Sequence, residues 1–307
     1  MNRTITYSIT EEHAGMTISH FLKEKGYSHP IVVHLKKTEN GILLNGAWAY
    51  VNQVLSTDDT LVINLLETQS SENIFPTPIA MDTFQKMIAY EDEDILLINK
   101  PAGLPVHPSM GHYEDTLANY CAYYYSCFPQ NGAFVFRCVN RLDRDTSGLV
   151  LIAKNMLSSA RLSMSQLSHG IKRTYLAIVT GKLASQGTIT FPIARKEGSV
   201  IERCVDLEHG ESAITHYQRL DCQTIDSHTF SLAKIQLETG RTHQIRVHMK
   251  AIGHPLPGDF LYNPDVTYIK RQALHSYCLS FTHPVTNAPL EFTQKPPEDF
   301  YFIPWRF

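Results

Sequence analysis

The sequence predicts an α+β protein. A small N-terminal α+β unit precedes a larger domain built on a mixed, largely antiparallel sheet with flanking helices and a cleft across its middle. Three observations carry this reading. Strand-like runs crowd residues 95–238 with only a few helix-like stretches between them, unlike the regular strand–helix alternation of a doubly wound sheet. A charged loop, Asn140–Gly148, runs straight into Leu149–Ala153, which is apolar at every position and so reads as a strand buried on both faces. Composition breaks at residues 68–78. The boundaries drawn are 1–67 for the small unit, 68–85 for a linker and 86–307 for the large domain.

Composition bounds the rest. The chain has 307 residues and 43% hydrophobic content, enough for one substantial core and a smaller one. Its net charge is −3, so any positive surface for nucleic acid has to be local. Residues 137–175 supply such a patch: Arg137, Arg141, Arg144, Lys154, Arg161, Lys172 and Arg173 stand against Asp143 and Asp145. A second patch, Lys234, Arg241, Arg246 and Lys250, stands against Glu238. The six cysteines form no C-x-x-C pair, so no zinc site is signalled. With no secretory apolar segment at the start, they read as reduced thiols of a cytoplasmic protein. No apolar run approaches the ~20 residues of a membrane span. The chain is read as a monomer.

In chain order, Thr17 caps a helix through Ile18–Leu22 that Gly26 ends, and Ile31–Leu35 forms a second short helix. Gly41–Gly46 is a strand running into an Asn-Gly turn, and Leu61–Leu65 is another strand. Residues 68–85 are polar and punctuated by Pro76 and Pro78, as a linker would be. Ile95–Ile98 is a buried strand ending in the proline- and glycine-rich loop Asn99–Pro108. Thr116–Tyr125 is helical, with an aromatic run that packs rather than binds. Met156–His169 is an amphipathic helix stopped by Gly170. Lys172–Gly181 is a strand whose alternation sets Tyr175, Ala177 and Val179 against Leu176 and Ile178. Thr215–Leu220 and Thr229–Glu238 are further strands. Thr242 is expected to cap a helix in which Ile245, Met249 and Ile252 face inward, with Gly253 and Pro255 ending it.

The loop Asn140–Gly148 holds one carboxylate, Asp143, flanked by Arg141 and Arg144 at a strand edge. Asn99–His107, Arg141–Gly148, Lys172–Gly181 and Thr239–His248, the last continued by Gly258-Asp259 and Tyr262, resemble in the same order the four motifs of the RluA-type pseudouridine synthases. The resemblance spans residues 88–300. It departs at Asn140, where family members usually carry His. The pattern of residues 1–67 resembles the alpha-L RNA-binding domain, with thin basic content.

The resemblance implies the pseudouridine synthase catalytic fold and an RNA substrate, chiefly large-subunit ribosomal RNA, with tRNA used by some members. It implies Asp143 as the catalytic residue, Tyr175 stacked on the target uracil, Arg246 paired with Asp143, and Arg141 filling the space that the extruded base leaves. Arg144, Lys172, Arg241 and His243, charged or polar residues of the same motifs, join Arg141 as candidate substrate-binding residues. Breaking the glycosidic C–N bond, rotating the base and rejoining it through carbon 5 is a net isomerisation, so no redox cofactor, ATP or metal is expected. The absence of G-x-G-x-x-G and P-loop motifs agrees. The chemistry needs an ionised carboxylate beside the sugar–base junction, a state that a neighbouring guanidinium favours.

Two rival readings come from other classes. A metal-dependent hydrolase would use His216, His243, His248 and His254, but no H-x-x-x-H exists and a spacing of five does not put His243 and His248 on one helix face. A non-catalytic RNA-binding or ribosome-assembly factor would need no Asp143, Tyr175 and Arg246 together.

Overall fold

The computed structural model describes residues 1–67, 69 and 74–305. The polar end of the expected linker, Thr68 and residues 70–73, lies outside the described residues. None of the described helices is long and apolar enough to cross a membrane.

Residues 3–65 form β1 (Arg3–Ser8), α1 (Ile18–Glu24), α2 (His29–Lys37), β2 (Ile42–Leu44), β3 (Ala47–Trp48) and β4 (Thr60–Leu65). The strands pair antiparallel in the order β1-β4-β2-β3. Local chemistry explains the ends. The Thr17 hydroxyl accepts from the His20 amide at 3.3 Å, and Asn45-Gly46, both at positive φ, make the two-residue hairpin turn. Phe21, Leu22, Leu35 and Ile63 fill a core of this unit's own.

The larger domain starts with α3 (Met81–Met87), β5 (Ile88–Glu91), β6 (Ile95–Lys100) and α4 (Leu117–Ser126). Next come β7 (Arg137–Cys138), β8 (Ser147–Ala153), α5 (Met156–Leu167) and β9 (Lys172–Thr180). The chain continues through β10 (Gln186–Ile189), β11 (Ile193–Arg195), β12 (Arg203–Val205), β13 (Thr215–Ile225) and β14 (His228–Leu237). It closes with α6 (Gln244–Ala251), β15 (Leu274–Thr282) and β16 (Pro289–Thr293). The main sheet runs β10-β13-β14-β9-β15-β8-β6-β5, with β16 added at β15 and β7 at β8. Among the described residues, only the β15–β8 pairing of this sheet is parallel. The sheet is therefore mixed and largely antiparallel, as the crowding of strands predicts.

Alternation sorts the side chains. On β8, Val150 and Ile152 enter the core shared with α3, α4 and α6, while Leu149, Leu151 and Ala153 enter the opposite one. On β9, Tyr175, Ala177 and Val179 face the first core, and Leu176 and Ile178 face the C-terminal segment through Phe300 and Ile303. Strand β8 is buried along its whole length, so truncating one of its large side chains to Ala costs about 2–5 kcal/mol.

Three local expectations change. Residues 81–85, expected within the linker, belong to α3, because Phe84 is fully buried and packs on Tyr124 at 4.7 Å between ring centres. The left-handed residue after α5 is His169 (φ 57), not Gly170. Gly170 is needed for space instead, since a Cβ there would lie 2.5 Å from the Ser165 hydroxyl. Thr242 does not cap α6. The helix begins after His243, which is left-handed (φ 59, ψ 17) and makes no cap hydrogen bond. The Gln244 side chain stabilises the turn instead, accepting from the Arg241 amide at 2.9 Å and the Thr239 hydroxyl at 2.8 Å.

The N-terminal unit docks firmly on the larger domain. Arg3 reaches buried Asp94 with Nε at 3.1 Å and Nη2 at 3.2 Å. Arg161 of α5 donates to the Lys25 and Pro284 carbonyls, and Leu157 of the same helix joins the N-terminal core.

Candidate active site

The site forms where the loop before β8 meets β9, β15 and the start of α6. Gly148 (φ +108) makes that meeting possible: a Cβ there would collide with the Ser276 carbonyl of β15. The loop itself is held by three groups. The Thr146 amide donates to the Asp143 carbonyl at 3.1 Å. Asn140 is buried and bridges the strand, donating to the Leu149 carbonyl at 3.1 Å and accepting from the Leu151 amide at 2.8 Å. Lys100 is fully buried, with Nζ donating to the carbonyls of Pro101 (2.9 Å), Leu104 (2.8 Å) and Arg144 (2.8 Å). It thereby ties the loop after β6 to the Asp143 loop.

Asp143, Tyr175 and Arg246 line one cleft. Arg246 donates from Nη1 to Asp143 Oδ2 at 2.9 Å. Its remaining arms grip Asp259, with Nε to Oδ2 and Nη2 to Oδ1, both 2.7 Å. Arg246 and Asp259 are fully buried. Burial opposes the Arg246 charge, but the hydrogen bonds to Asp259 and the field of Asp143 outweigh it and raise its pKa above the usual value. The guanidinium also lies over the Tyr262 ring, 5.0 Å from its centre. Asp143 keeps 26% side-chain exposure toward the cleft, and its Oδ1 has no hydrogen-bond partner among the described residues. Tyr175 is buried, and its phenol is raised chiefly by that burial, with Arg173 opposing and Asp143 adding.

The candidate binding residues divide. Arg141 is exposed and lines the cleft. Arg241 lines it too, while its Nη1 pairs with Glu211 and its Nε donates to the Ser212 carbonyl at 3.0 Å. His243 lines it with Nε2 3.9 Å from Asp143 Oδ2 and Nδ1 3.0 Å from the Tyr262 hydroxyl. Burial, partly opposed by Asp143, lowers its pKa and favours neutral imidazole. Two residues are not brought in. Arg144 turns away from Asp143 and forms a two-armed pair with Asp145 at 3.0 and 2.9 Å, the shortest reach from an exposed turn. Lys172 lies on the other face of β9 from Tyr175 by strand alternation, and Arg173 is the residue that shares the Tyr175 face.

Asp259 is the principal residue without an expected role. The Gly-Asp pair was visible in the sequence, but nothing in a spacing of 13 residues across a helix end pairs it with Arg246. The histidines of the hydrolase alternative do not converge. His216 meets Glu238, His248 bridges Thr215 and Phe191, and His254 meets the Thr180 carbonyl. A larger cavity of about 350 Å³ near Ile74, Phe134 and Phe136 has an apolar lining without any carboxylate, His, Lys or Arg. The smaller cleft is the one lined by Asp143, Tyr175 and Arg246.

Comparison with known proteins shows the family. The RNA pseudouridylate synthase family profile matches residues 94–251. The chain is 39% identical over 285 residues to the uncharacterized RNA pseudouridine synthase YjbO of Bacillus subtilis, covering 92% of this chain and 96% of that protein. It is 40% identical over 233 residues to the ribosomal large subunit pseudouridine synthase D of Pseudomonas aeruginosa, covering 70% of each. Among solved structures it is similar to human RNA pseudouridylate synthase domain containing 1, at 27% identity and a TM-score of 0.56, covering 68% of this chain and 83% of that one. The chain belongs to the RNA pseudouridylate synthase family and is an RNA pseudouridine synthase.

Proposed function

We propose that the protein isomerises uridine in large-subunit ribosomal RNA, in the cytoplasm, with Asp143 as the catalytic carboxylate. The observation that carries this is the chain Asp259–Arg246–Asp143, which ends in a carboxylate oxygen open to the cleft beside Tyr175. Several relatives of similar sequence are named ribosomal large subunit pseudouridine synthases, which supports ribosomal RNA as the substrate class.

Each residue has a distinct task in this reading. Asp143 acts at the sugar–base junction as the C–N bond breaks. The base turns, a C–C bond forms at carbon 5, and the proton leaving carbon 5 is balanced by one gained at N1. Arg246, held by Asp259 through its two-armed planar fork, fixes the Asp143 carboxylate through its remaining N–H. Tyr175 stacks on the uracil. Arg141 occupies the space left by the extruded base, whose unstacking costs about a few kcal/mol, while Arg241 and His243 border the bound nucleotide. The N-terminal unit, read as alpha-L-like, adds RNA affinity rather than chemistry.

Asp143→Asn tests this directly, because it keeps the shape and removes the anion. With an unmodified large-subunit RNA transcript labelled with tritium at uridine carbon 5, the variant is expected to bind like wild type and release no tritium, even at enzyme excess. Release by the folded variant would show that another group is the catalyst. A wild type that binds but never releases tritium would favour the non-catalytic RNA-binding reading.

A further inference from the structure

Arg173 is a further arginine close to the site. It lies two residues before Tyr175 on β9, on the same face of the strand. Its charge is near enough to lower the Tyr175 phenol against the effect of burial. Its Nη1 lies against the Thr239-Gly240-Arg241 turn, 2.7 Å from where a Gly240 side chain would begin. The guanidinium is therefore seated at the rim of the cleft, in space that Gly240 leaves free.

Arg141 and Arg173 both lack a carboxylate partner among the described residues; what distinguishes Arg173 is that its Nε is buried, whereas Arg141 is exposed. Arg241 and Arg246 at the same cleft each hold a carboxylate. Arg144, just outside it, holds Asp145. Among the described residues, Arg173 forms neither an ion pair nor a side-chain hydrogen bond, and its Nε is buried with nothing to donate to. A buried donor on a cation favours an anionic acceptor. The cleft already contains its own carboxylate in Asp143, and what the rim lacks is a negative group from outside.

We propose that Arg173 is a phosphate-binding residue that receives a backbone phosphodiester of the RNA beside the target uridine. This rests on the assignment of the cleft to uridine isomerisation. It adds a backbone contact that positions the nucleotide whose base Tyr175 stacks. A phosphodiester supplies two anionic oxygens to a planar fork, the geometry guanidinium groups match. The contact reads no sequence and orients the strand in the cleft.

The test uses the full chain and fluorescein-labelled oligouridylate, with affinity followed by anisotropy across a salt titration. Arg173→Gln is expected to weaken binding roughly tenfold, as for loss of a charge-assisted hydrogen bond. The slope of log affinity against log salt should fall by about 0.7, the value for one single-strand phosphate contact. Arg173→Lys should restore most of the slope. Gly240→Ala, which crowds Nη1 while keeping the charge, should weaken binding less than Arg173→Gln and keeps the test open if that variant does not fold. At saturating enzyme, single-turnover tritium release should change by less than about threefold, since the contact binds rather than reacts. Unchanged affinity and slope in both Arg173→Gln and Gly240→Ala would overturn the proposal. So would a slower saturating step with an unchanged slope, which would make Arg173 a positioning residue for Tyr175. A wild type that releases no tritium would count against the isomerase assignment alone, because the salt-slope comparison needs no turnover.

Discussion

Arg246 and Asp259 form a two-armed ion pair, 2.7 Å on both arms, in which neither side chain is open to solvent. The pair lies behind Asp143 rather than beside it, so Arg246 presents a single N–H, at 2.9 Å, to the carboxylate that faces the cleft. Buried ion pairs contribute little net stability, but removing one partner is costly. The geometry therefore assigns Asp259 to positioning.

Asp259→Asn should lower turnover more than RNA affinity, because it leaves Arg246 free to rotate away from Asp143. Stability should fall by roughly 3–5 kcal/mol, the usual cost of leaving a buried charge with a lost partner. Single-turnover rates and urea midpoints measure the two effects separately. Wild-type turnover in a destabilised Asp259→Asn protein would confine Asp259 to folding.

Tyr175 supplies a ring and a hydroxyl. Tyr175→Ala should lose the stacking contribution, about 1–3 kcal/mol, and weaken RNA binding accordingly. Tyr175→Phe should keep that affinity. A fall in single-turnover rate in Tyr175→Phe, with affinity kept, would assign the hydroxyl a role in proton transfer, and an unchanged rate would limit the residue to stacking.

His275 links the site to acid stability. Its Nε2 donates to the Gln294 carbonyl at 2.8 Å and its Nδ1 accepts from the Ser147 hydroxyl at 2.9 Å, so the neutral ring is the one that fits. Burial is the main cause of its pKa falling from 6.5 to about 4. Between these values the unfolded chain binds the extra proton, so stability rises with pH from about 4 to 6.5 and is lost as pH falls through that window. His275→Leu removes this titration. Its loss of stability between pH 7 and pH 5 should be roughly 2 kcal/mol smaller than that of wild type. Equal losses in the two proteins, measured by urea unfolding, would refute the assignment.

Asn140 joins the Leu149 carbonyl to the Leu151 amide and offers no titrating group to the reaction. Asn140→Ala should cost about 1–3 kcal/mol for each backbone group left buried and unpaired. Asn140→His, which can donate and accept in the same place, should leave turnover within about tenfold of wild type. A gain of several orders of magnitude would instead mean that Asn140 impairs the natural enzyme.

The Asp143 loop, the buried β8, the two faces of β9 and the inward stripe of α6 were legible in the chain because each depends on residues close together in sequence. Alternation places Tyr175 on one side of its strand whatever lies beyond it, and that same rule, applied two residues back, selects Arg173 over Lys172. Spacing could not decide which charges meet. Asp143 has Arg144 next to it in the chain, yet Arg144 closes on Asp145, and the guanidinium that reaches Asp143 comes from Arg246, 103 residues away. Partner choice among charged side chains depends on which groups folding removes from water together. An exposed arginine can satisfy itself on its neighbour or on solvent, whereas Arg246, fully buried, has to find its carboxylates wherever the packed sheet and helix bring them.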